Sequence, residues 1–281
     1  MLTTFQGQPA LTLTAPDGAR ATVLLHGAHL VSWVPAGGQE QLYLSPTAQF
    51  GPGASVRGGV PLIFPQFNAR GPLPRHGLVR TRPWQPVLDA VRGGVALATL
   101  RFEPTPETAA IWPMPFAAEF TLSVAGGTLE MELAVEHTGD ANAAPFSFTA
   151  ALHTYLRTSD ALKLQLEGLQ GVSFEDALKD PPGTISGQQW GDVLTLVGAI
   201  DRVYYGANAP LTLRELGRRL GIAMAGFEDV VVWNPGPDAV MADMPAGDWQ
   251  HMLCVEAARI GEPVELYPGD EWVGRQDLTA G

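Results

Sequence analysis

Residues 120–136, FTLSVAGGTLEMELAVE, hold two runs in which apolar and polar side chains alternate, with Gly126-Gly127 between them. Alternation with a period of two places the apolar side chains of each run on one face of a β-strand. A glycine pair between two such runs is typical of a hairpin turn. This segment therefore predicts an antiparallel hairpin with one buried face.

The same strand signal recurs along the whole chain. The 32 glycines and 24 prolines are scattered, and the only lysines are Lys163 and Lys179, so the Glu/Lys-rich surfaces of typical helices are missing. Without a fixed repeat, a low-complexity tract or a linker, the pattern predicts a single all-β domain over residues 1–281, built as a large antiparallel sandwich or barrel. The other predicted strands are 10–15, 21–25, 95–102, 146–156, 162–166, 193–196, 211–213, 221–225, 229–233, 251–255 and 264–269.

The composition excludes several classes of protein. Of the 281 residues, 46% are hydrophobic and 16% charged, which is too apolar for a disordered chain, and no apolar run reaches the roughly 18 residues of a membrane span. The N-terminus lacks the charged and apolar regions of a signal peptide, so we expect a cytoplasmic protein. Cys254 is the only cysteine, which excludes an internal disulfide framework and a cysteine-cluster zinc site. A net charge of −12 argues against nucleic-acid or anionic-membrane partners, and an acidic sandwich of this size is compatible with a monomer.

One segment is basic in this acidic chain. Residues 57–82 carry five arginines, His76 and no Asp or Glu, and the rest of the chain has 12 of the 17 Lys and Arg residues against all 29 acidic ones. Arginine matches phosphate or carboxylate oxygens in pairs, and the glycines at 58, 59 and 77 allow backbone N–H groups to approach an anion. The segment predicts a small-anion pocket, most naturally for a phosphate; pairing with surface carboxylates is the alternative. The five arginines are Arg57, Arg70, Arg75, Arg80 and Arg82.

Two further segments place polar groups in a strand context. In residues 150–157, AALHTYLR, the period of two puts His153, Tyr155 and Arg157 on one face, which suits the wall of a site or an ordinary solvated strand. In residues 252–258, MLCVEAA, Glu256 shares a face with Met252 and Cys254. A carboxylate in that setting lies either at a wet strand end or in a cleft that raises its pKa.

Established catalytic motifs are missing from the chain. It contains no Gly-x-Ser-x-Gly, no P-loop and no His-Glu-x-x-His, and its glycine-rich pieces do not follow a strand–helix pattern. His26 and His29 have no third ligand close in sequence, so a structural role is favoured over a metal site. Asp201, beside Arg202, is compatible with a turn that contains a local ion pair.

Seven segments taken together resemble the hexose-6-phosphate mutarotases (glucose-6-phosphate 1-epimerases), a branch of the aldose 1-epimerase superfamily. The resemblance extends from about residue 20 to 270. The Arg-Gly-Gly-Val-Pro and His-Gly-Leu-Val-Arg pieces are its specific part, because they separate this branch from galactose mutarotases. The segments are LHGAHLVSW (25–33), SVRGGVPLIFPQF (55–67), RHGLVR (75–80), LHTY (152–155), DRVY (201–204), VWNPG (232–236) and CVEA (254–257).

This resemblance implies a galactose mutarotase-like β-supersandwich and an isomerase that needs no cofactor and no metal. It implies His153 as general acid and Glu256 as general base. It further implies that Arg57 and Arg80 bind the phosphate or neighbouring sugar oxygens, with Arg75 at a third substrate contact where the family often has a neutral residue, and with Asp201 on the sugar hydroxyls. His76 is a further candidate for the substrate pocket.

The expected activity is the interconversion of the α and β anomers of glucose 6-phosphate or a related aldohexose 6-phosphate. Two alternatives stay open. A mutarotase for unphosphorylated aldoses would not need the arginines, and a non-catalytic sugar-phosphate-binding protein would not need both His153 and Glu256.

Overall fold

The computed structural model describes residues 1–281, and nearly all of its regular structure is β-strand. Every pairing between two strands is antiparallel, in three sheets of four, eight and nine strands. The predicted all-β antiparallel supersandwich is therefore confirmed. The one α-helix, α1 (Pro106–Ile111), has six residues. No helix has the length and the apolar character needed to cross a bilayer.

The strands of each sheet come from several parts of the chain. The four-stranded sheet contains β1 (Leu2–Phe5), β2 (Gln8–Thr14), β3 (Arg20–Leu24) and β4 (Leu30–Val34). The eight-stranded sheet contains β5 (Leu62–Ile63), β10 (Phe146–Leu152), β11 (Tyr155–Arg157), β13 (Ser173–Asp176), β14 (Gly187–Gln188), β16 (Ile200–Tyr204), β19 (Asp229–Asn234) and β20 (Met252–Leu266). The nine-stranded sheet contains β6 (Gln85–Arg92), β7 (Val95–Phe102), β8 (Phe116–Ala125), β9 (Thr128–His137), β12 (Gln165–Glu167), β15 (Val193–Leu194), β17 (Leu211–Glu215), β18 (Arg218–Ala225) and β21 (Glu271–Ala280).

The hairpin predicted from residues 120–136 is present as β8 and β9, each ten residues long. Phe120 pairs with Leu133 and Leu122 with Met131, and all four side chains are buried. Because apolar side chains alternate along both strands, one face of the hairpin is buried and the other is more accessible. The predicted hairpin with one buried face is confirmed.

The hydrophobic core lies between the sheets. One cluster of 55 buried residues takes Leu11 from the four-stranded sheet, Leu122 from the nine-stranded sheet and Val255 from the eight-stranded sheet. Strands β19 and β20 are buried on both faces, since Val230, Val232 and Val255 face this core while the opposite face forms the floor of a cleft. The long segment before β6 packs against the sheets through three buried aromatics, Phe64, Phe67 and Trp84.

Three predictions from the sequence differ from the structure. The run 146–156 is divided at His153-Thr154 into β10 and β11, and the runs 251–255 and 264–269 belong to one strand of 15 residues, β20. The strands that were not predicted are β1, β4, β5, β6, β13, β14, β16 and β21. The alternating pattern is weak in β21 because the inward positions hold Gly274 and Gln276 rather than large apolar side chains.

Candidate active site

A cleft of about 230 Å³ opens on the outer face of the eight-stranded sheet. Its lining includes all seven residues that the sequence analysis singled out, although they come from positions as far apart as 57 and 256. These are Arg57, Arg75, His76, Arg80, His153, Asp201 and Glu256.

The floor of the cleft is formed by side chains from adjacent strands. In one row, Asp201 on β16 pairs with Trp233 on β19, which pairs with Cys254 on β20, which pairs with Tyr155 on β11. In the next row, Val231 pairs with Glu256. Directly opposed residues on neighbouring strands point to the same face, so the sheet register brings these side chains together.

His153 and Glu256 are in direct contact at this floor. Nδ1 of His153 lies 3.3 Å from Oε1 of Glu256, and the Glu256 side chain is only 1% exposed. Nδ1 of His153 and Oε2 of Glu256 are both buried without a hydrogen-bond partner in the chain. Burial raises the pKa of Glu256 well above its usual value, and the negative charge of Asp201 raises it further. Burial lowers the pKa of His153, and electrostatic repulsion from the neighbouring His76, Arg80 and Arg57 acts in the same direction.

Two aromatic side chains hold the imidazole of His153. The ring of Tyr155 stacks on it, with centroids 4.8 Å apart and an interplanar angle of 9°. Trp233 presents an edge-on ring to both, at 6.1 Å from His153 and 6.0 Å from Tyr155. The plane of the imidazole is therefore fixed by packing as well as by the strand that carries it.

Arg57 is held by two neighbours that leave part of its guanidinium group accessible. Nε donates to both carboxylate oxygens of Asp243 at 3.2 Å, and Nη1 donates to the Tyr155 hydroxyl at 2.9 Å. Nη2 makes no hydrogen bond within the chain, and Arg57 lines the cleft. The Tyr155 side chain thus joins Arg57 to His153.

The buried His29 and a tightly packed glycine position the backbone that carries Arg57. Nε2 of His29 lies 2.7 Å from the carbonyl oxygen of Gly58, and burial lowers the His29 pKa to about 4, so the neutral ring donates this bond. Gly59 has a φ of 63°, and a Cβ there would lie 2.2 Å from the carbonyl oxygen of Leu30, so only glycine fits. The Gly59 N–H donates to the carbonyl oxygen of Tyr43 at 2.7 Å, and the Gly77 N–H to that of Pro74 at 2.8 Å, so these two amides are not available to an anion, contrary to the prediction for them.

The loop after Phe67 brings three further predicted residues to the cleft. His76 is buried and adopts a φ of 64°, which is uncommon for a residue with a side chain. Its Nδ1 accepts from the Asn68 N–H at 3.3 Å, and burial together with the charge of Arg80 lowers its pKa to about 3. Nε2 therefore carries the proton of a neutral imidazole. Arg80 donates to the Arg75 carbonyl oxygen at 3.3 Å, and Arg75 lies exposed at the rim.

Two charged groups in the cleft have shifted pKa values that bear on its chemistry. Burial raises the pKa of Asp201 to about 6, despite the nearby charge of Arg70. Burial lowers the pKa of Arg80 to about 10, and repulsion from Arg75 and Arg57 acts in the same direction. Mutually repelling arginines indicate a site that is completed by an anion.

Some predicted neighbours lie outside the cleft. Arg70 donates to Glu175 at 2.5 Å and to the Tyr205 hydroxyl at 3.2 Å, so pairing with a carboxylate, the alternative raised from the sequence, holds for this arginine. Arg82 does not line the cleft, and neither does Arg157, which lies in a separate surface depression. Arg157 pairs with Met252 two residues along β11 from Tyr155, so the predicted shared face holds, but this residue lies beyond the cleft.

Sequence reasoning missed Trp233, Met241 and the Asp243 partner of Arg57. Trp233 stands in a segment that was noted for its resemblance, without a role assigned to it. Asp243 gave no signal, because 186 residues separate it from Arg57 along the chain.

One group of side chains could hold a metal ion. The ligand atoms of His153, Cys254 and Glu256 all lie within 4.8 Å of one another. Burial raises the pKa of the Cys254 thiol and of the Glu256 carboxyl well above their usual values. Because metal ligands must lose their protons, this environment opposes metal binding.

Comparison with known proteins places this fold and cleft in a family. The family model described as aldose 1-epimerase matches residues 9–279, and the chain belongs to that family. It is accordingly an isomerase of the epimerase type that acts on the anomers of sugars.

Two named relatives and one solved structure are similar to this chain over most of their length. A protein of Cenchrus ciliaris named "Putative glucose-6-phosphate 1-epimerase" is 33% identical over 295 residues, covering 100% of this chain and 87% of the relative. A protein of Escherichia coli with the same name is 35% identical over 252 residues, covering 86% and 81%. The crystal structure of a "putative mutarotase" from Salmonella typhimurium superposes with a TM-score of 0.89 at 28% identity, covering 100% and 92%.

Proposed function

We propose that this epimerase interconverts the α and β anomers of glucose 6-phosphate or a closely related aldohexose 6-phosphate. The observation that carries the proposal is the arrangement of the cleft, in which a buried His153–Glu256 pair lies at the floor and three arginines surround the same cavity. The names of the relatives support the same substrate class.

The arginines supply the recognition of the phosphate. Nη2 of Arg57 has no partner within the chain, and repulsion from Arg57 and Arg75 lowers the Arg80 pKa, so a dianion satisfies both groups at once. Phosphate binding far from C1 also orients the sugar ring over the acid and the base. Asp201, with its carboxyl on the cleft floor, accepts hydrogen bonds from sugar hydroxyls.

The reaction at C1 requires two proton transfers. The Glu256 carboxylate takes the proton of the C1 hydroxyl while the His153 imidazolium protonates the ring oxygen, and the bond between C1 and the ring oxygen breaks. Rotation about the C1–C2 bond presents the other face of the aldehyde. Ring closure returns the hydroxyl proton to His153 and the Glu256 proton to the carbonyl oxygen, so no net change in either residue remains.

Phosphate binding also favours the required protonation state. In the free protein, burial raises the Glu256 pKa and lowers the His153 pKa, which places a shared proton on the carboxyl. His76, with a pKa of about 3, is neutral near pH 7, so Arg80 and Arg57 are the charges that disfavour the imidazolium. A phosphate dianion between these arginines offsets their charge and moves the proton toward His153.

Anomer exchange measured by NMR tests the proposed function. Glucose 6-phosphate, glucose and galactose, each at α/β equilibrium, are compared with and without the protein. Exchange that is accelerated for the phosphorylated sugar alone is the expected result. Acceleration only for the free sugars would establish the unphosphorylated-aldose alternative. Binding of glucose 6-phosphate without any acceleration would establish a non-catalytic binding protein.

The pH dependence of kcat/KM is a further expected result. Asp201, with its pKa of about 6, loses its acceptor capacity as the pH falls and the carboxyl takes up a proton, so kcat/KM declines below about pH 6. The substrate phosphate titrates in the same range, with a second pKa of about 6. In a plot of log kcat/KM against pH, the slope on the acidic side is therefore expected to be about one unit smaller for Asp201→Asn than for the wild type, because one titrating group is lost. Equal slopes in the two proteins would remove Asp201 from this role.

A further inference from the structure

The strand that carries His153 is interrupted at the candidate site. β10 and β11 both pair with β20, and Leu152↔Ala257 and Tyr155↔Cys254 preserve one register across the gap. His153 therefore lies opposite Glu256, and Thr154 lies opposite Val255. Within the gap, the Thr154 N–H donates to the carbonyl oxygen of Leu152 at 2.9 Å, which makes His153 the central residue of a γ-turn.

This turn removes one hydrogen bond from the sheet. In an uninterrupted antiparallel ladder, Thr154 and Val255 exchange two backbone hydrogen bonds as a hydrogen-bonded pair. The bond from the Val255 N–H to the Thr154 carbonyl oxygen is present at 3.1 Å. The reciprocal bond is lost, because the Thr154 N–H is committed to Leu152. The carbonyl oxygen of Val255, in a fully buried residue, is left without its ladder donor.

A side chain from the opposite sheet replaces the missing donor. Gln276, on β21 of the nine-stranded sheet, points inward and is fully buried. Its Nε2 donates to the Val255 carbonyl oxygen at 3.1 Å, and its Oε1 accepts from the Thr154 hydroxyl at 2.5 Å. Gln276 thus links the residue that follows His153 to the residue that precedes Glu256.

We propose that the Gln276–Thr154 bridge is the positioning device for the His153–Glu256 pair. The inference rests on the proposed function and names two residues that act through the pair without touching substrate. A directional amide bridge in a dry core is strong and fixes geometry, whereas apolar packing at 276 would let both strand ends shift. The bridge stabilises the γ-turn in place of a continuous ladder. It thereby sets the 3.3 Å distance between His153 Nδ1 and Glu256 Oε1.

Four variants separate positioning from stability alone. Thr154→Val keeps the shape and removes the hydroxyl, Thr154→Ser restores the hydroxyl, and Gln276→Met removes the amide. Thr99→Val is the matched control. It also removes a side-chain hydrogen bond, the one between the Thr99 and Thr121 hydroxyls at 2.9 Å, and this bond lies on the nine-stranded sheet away from the cleft. For each variant, kcat and KM for glucose 6-phosphate are measured together with Tm.

We expect Thr154→Val and Gln276→Met to lower kcat by about 10- to 100-fold with KM within about twofold, because a displaced catalytic pair loses its reactive geometry. Thr154→Ser should restore kcat to within about threefold of the wild type, since the hydroxyl is what the bridge needs. Thr99→Val should lower Tm and leave kcat unchanged. A lowered Tm with wild-type kcat in the bridge variants, or an equal loss of kcat in Thr99→Val, would overturn the proposal. Should Gln276→Met fail to fold, the two Thr154 variants decide.

A spectroscopic measurement keeps this inference separate from the proposed function. If the wild type accelerates no sugar, the proposed function fails, but the bridge still predicts a change at His153. The ¹⁵N chemical shifts of the His153 ring nitrogens should change in Thr154→Val and Gln276→Met and stay unchanged in Thr99→Val. Unchanged shifts in the bridge variants would overturn the inference whatever the substrate is.

Discussion

Glu256→Gln is expected to abolish anomer exchange of glucose 6-phosphate, with kcat lowered by about 10²- to 10⁴-fold toward the spontaneous rate. Glutamine keeps the size and the hydrogen-bonding shape of the carboxyl group but cannot accept the proton of the C1 hydroxyl. Burial raises the Glu256 pKa and so favours the neutral carboxyl group, which glutamine resembles. Binding of the sugar phosphate should therefore stay within a few-fold of the wild type, and Tm should not fall.

The control for this variant lies on the same strand. Glu265 is exposed on β20, outside the cleft, and Glu265→Gln makes the same chemical change there. Its kcat should equal that of the wild type. Exchange kinetics followed by NMR, with binding followed by calorimetry, provide the two readouts. Near-normal kcat in Glu256→Gln would discard Glu256 as the base and with it the proposed mechanism.

Arg57→Ala is expected to weaken binding of glucose 6-phosphate by about 10- to 100-fold, the range for the loss of a charge-assisted hydrogen bond. Binding of free glucose should change by less than about threefold, since Nη2 of Arg57 is the donor assigned to the phosphate rather than to the sugar ring. The substitution also leaves Asp243 without its partner, which adds a negative charge beside the anion and acts in the same direction.

Arg82→Ala is the matched control for Arg57→Ala. Arg82 belongs to the same basic segment and lies outside the cleft. Its loss therefore removes one positive charge without removing a contact with a sugar bound in the cleft. Affinities for both sugars in both variants separate local recognition from the general charge of the segment. Equal losses for the phosphorylated and the free sugar in Arg57→Ala would remove Arg57 from the phosphate site.

The connection from Arg57 through Tyr155 to His153 relates binding to chemistry. One aromatic side chain accepts from the guanidinium at its hydroxyl and stacks on the imidazole at its ring. A phosphate on Arg57 therefore acts on His153 both through charge and through a shared neighbour. This arrangement gives a physical reason for the proposed phosphorylated substrate in a fold that is shared with a galactose mutarotase-like protein.

Most of the fold could be predicted from local patterns. The alternating runs within residues 120–136 and 95–102 are long and their apolar faces are buried, so the period of two was sufficient to predict these strands and the hairpin. The pattern failed in β20, where a continuous run of buried residues on both faces hides the alternation, and in β21, where glycine and glutamine occupy inward positions. The interruption at His153 left no mark in the sequence, because its residues alone do not reveal a γ-turn.

The sequence by itself determined the residue types of the candidate site: a histidine, a buried-strand glutamate, an aspartate and a basic segment in an acidic chain. Only the tertiary structure decided which of them meet. Sheet register places Glu256 opposite His153, ion pairing removes Arg70 from the cleft, and Gln276 crosses between two sheets to hold the pair. The physical reason is that local periodicity fixes which face a side chain occupies, whereas its neighbours on that face come from strands distant along the chain, as Tyr155 on β11 and Cys254 on β20 do.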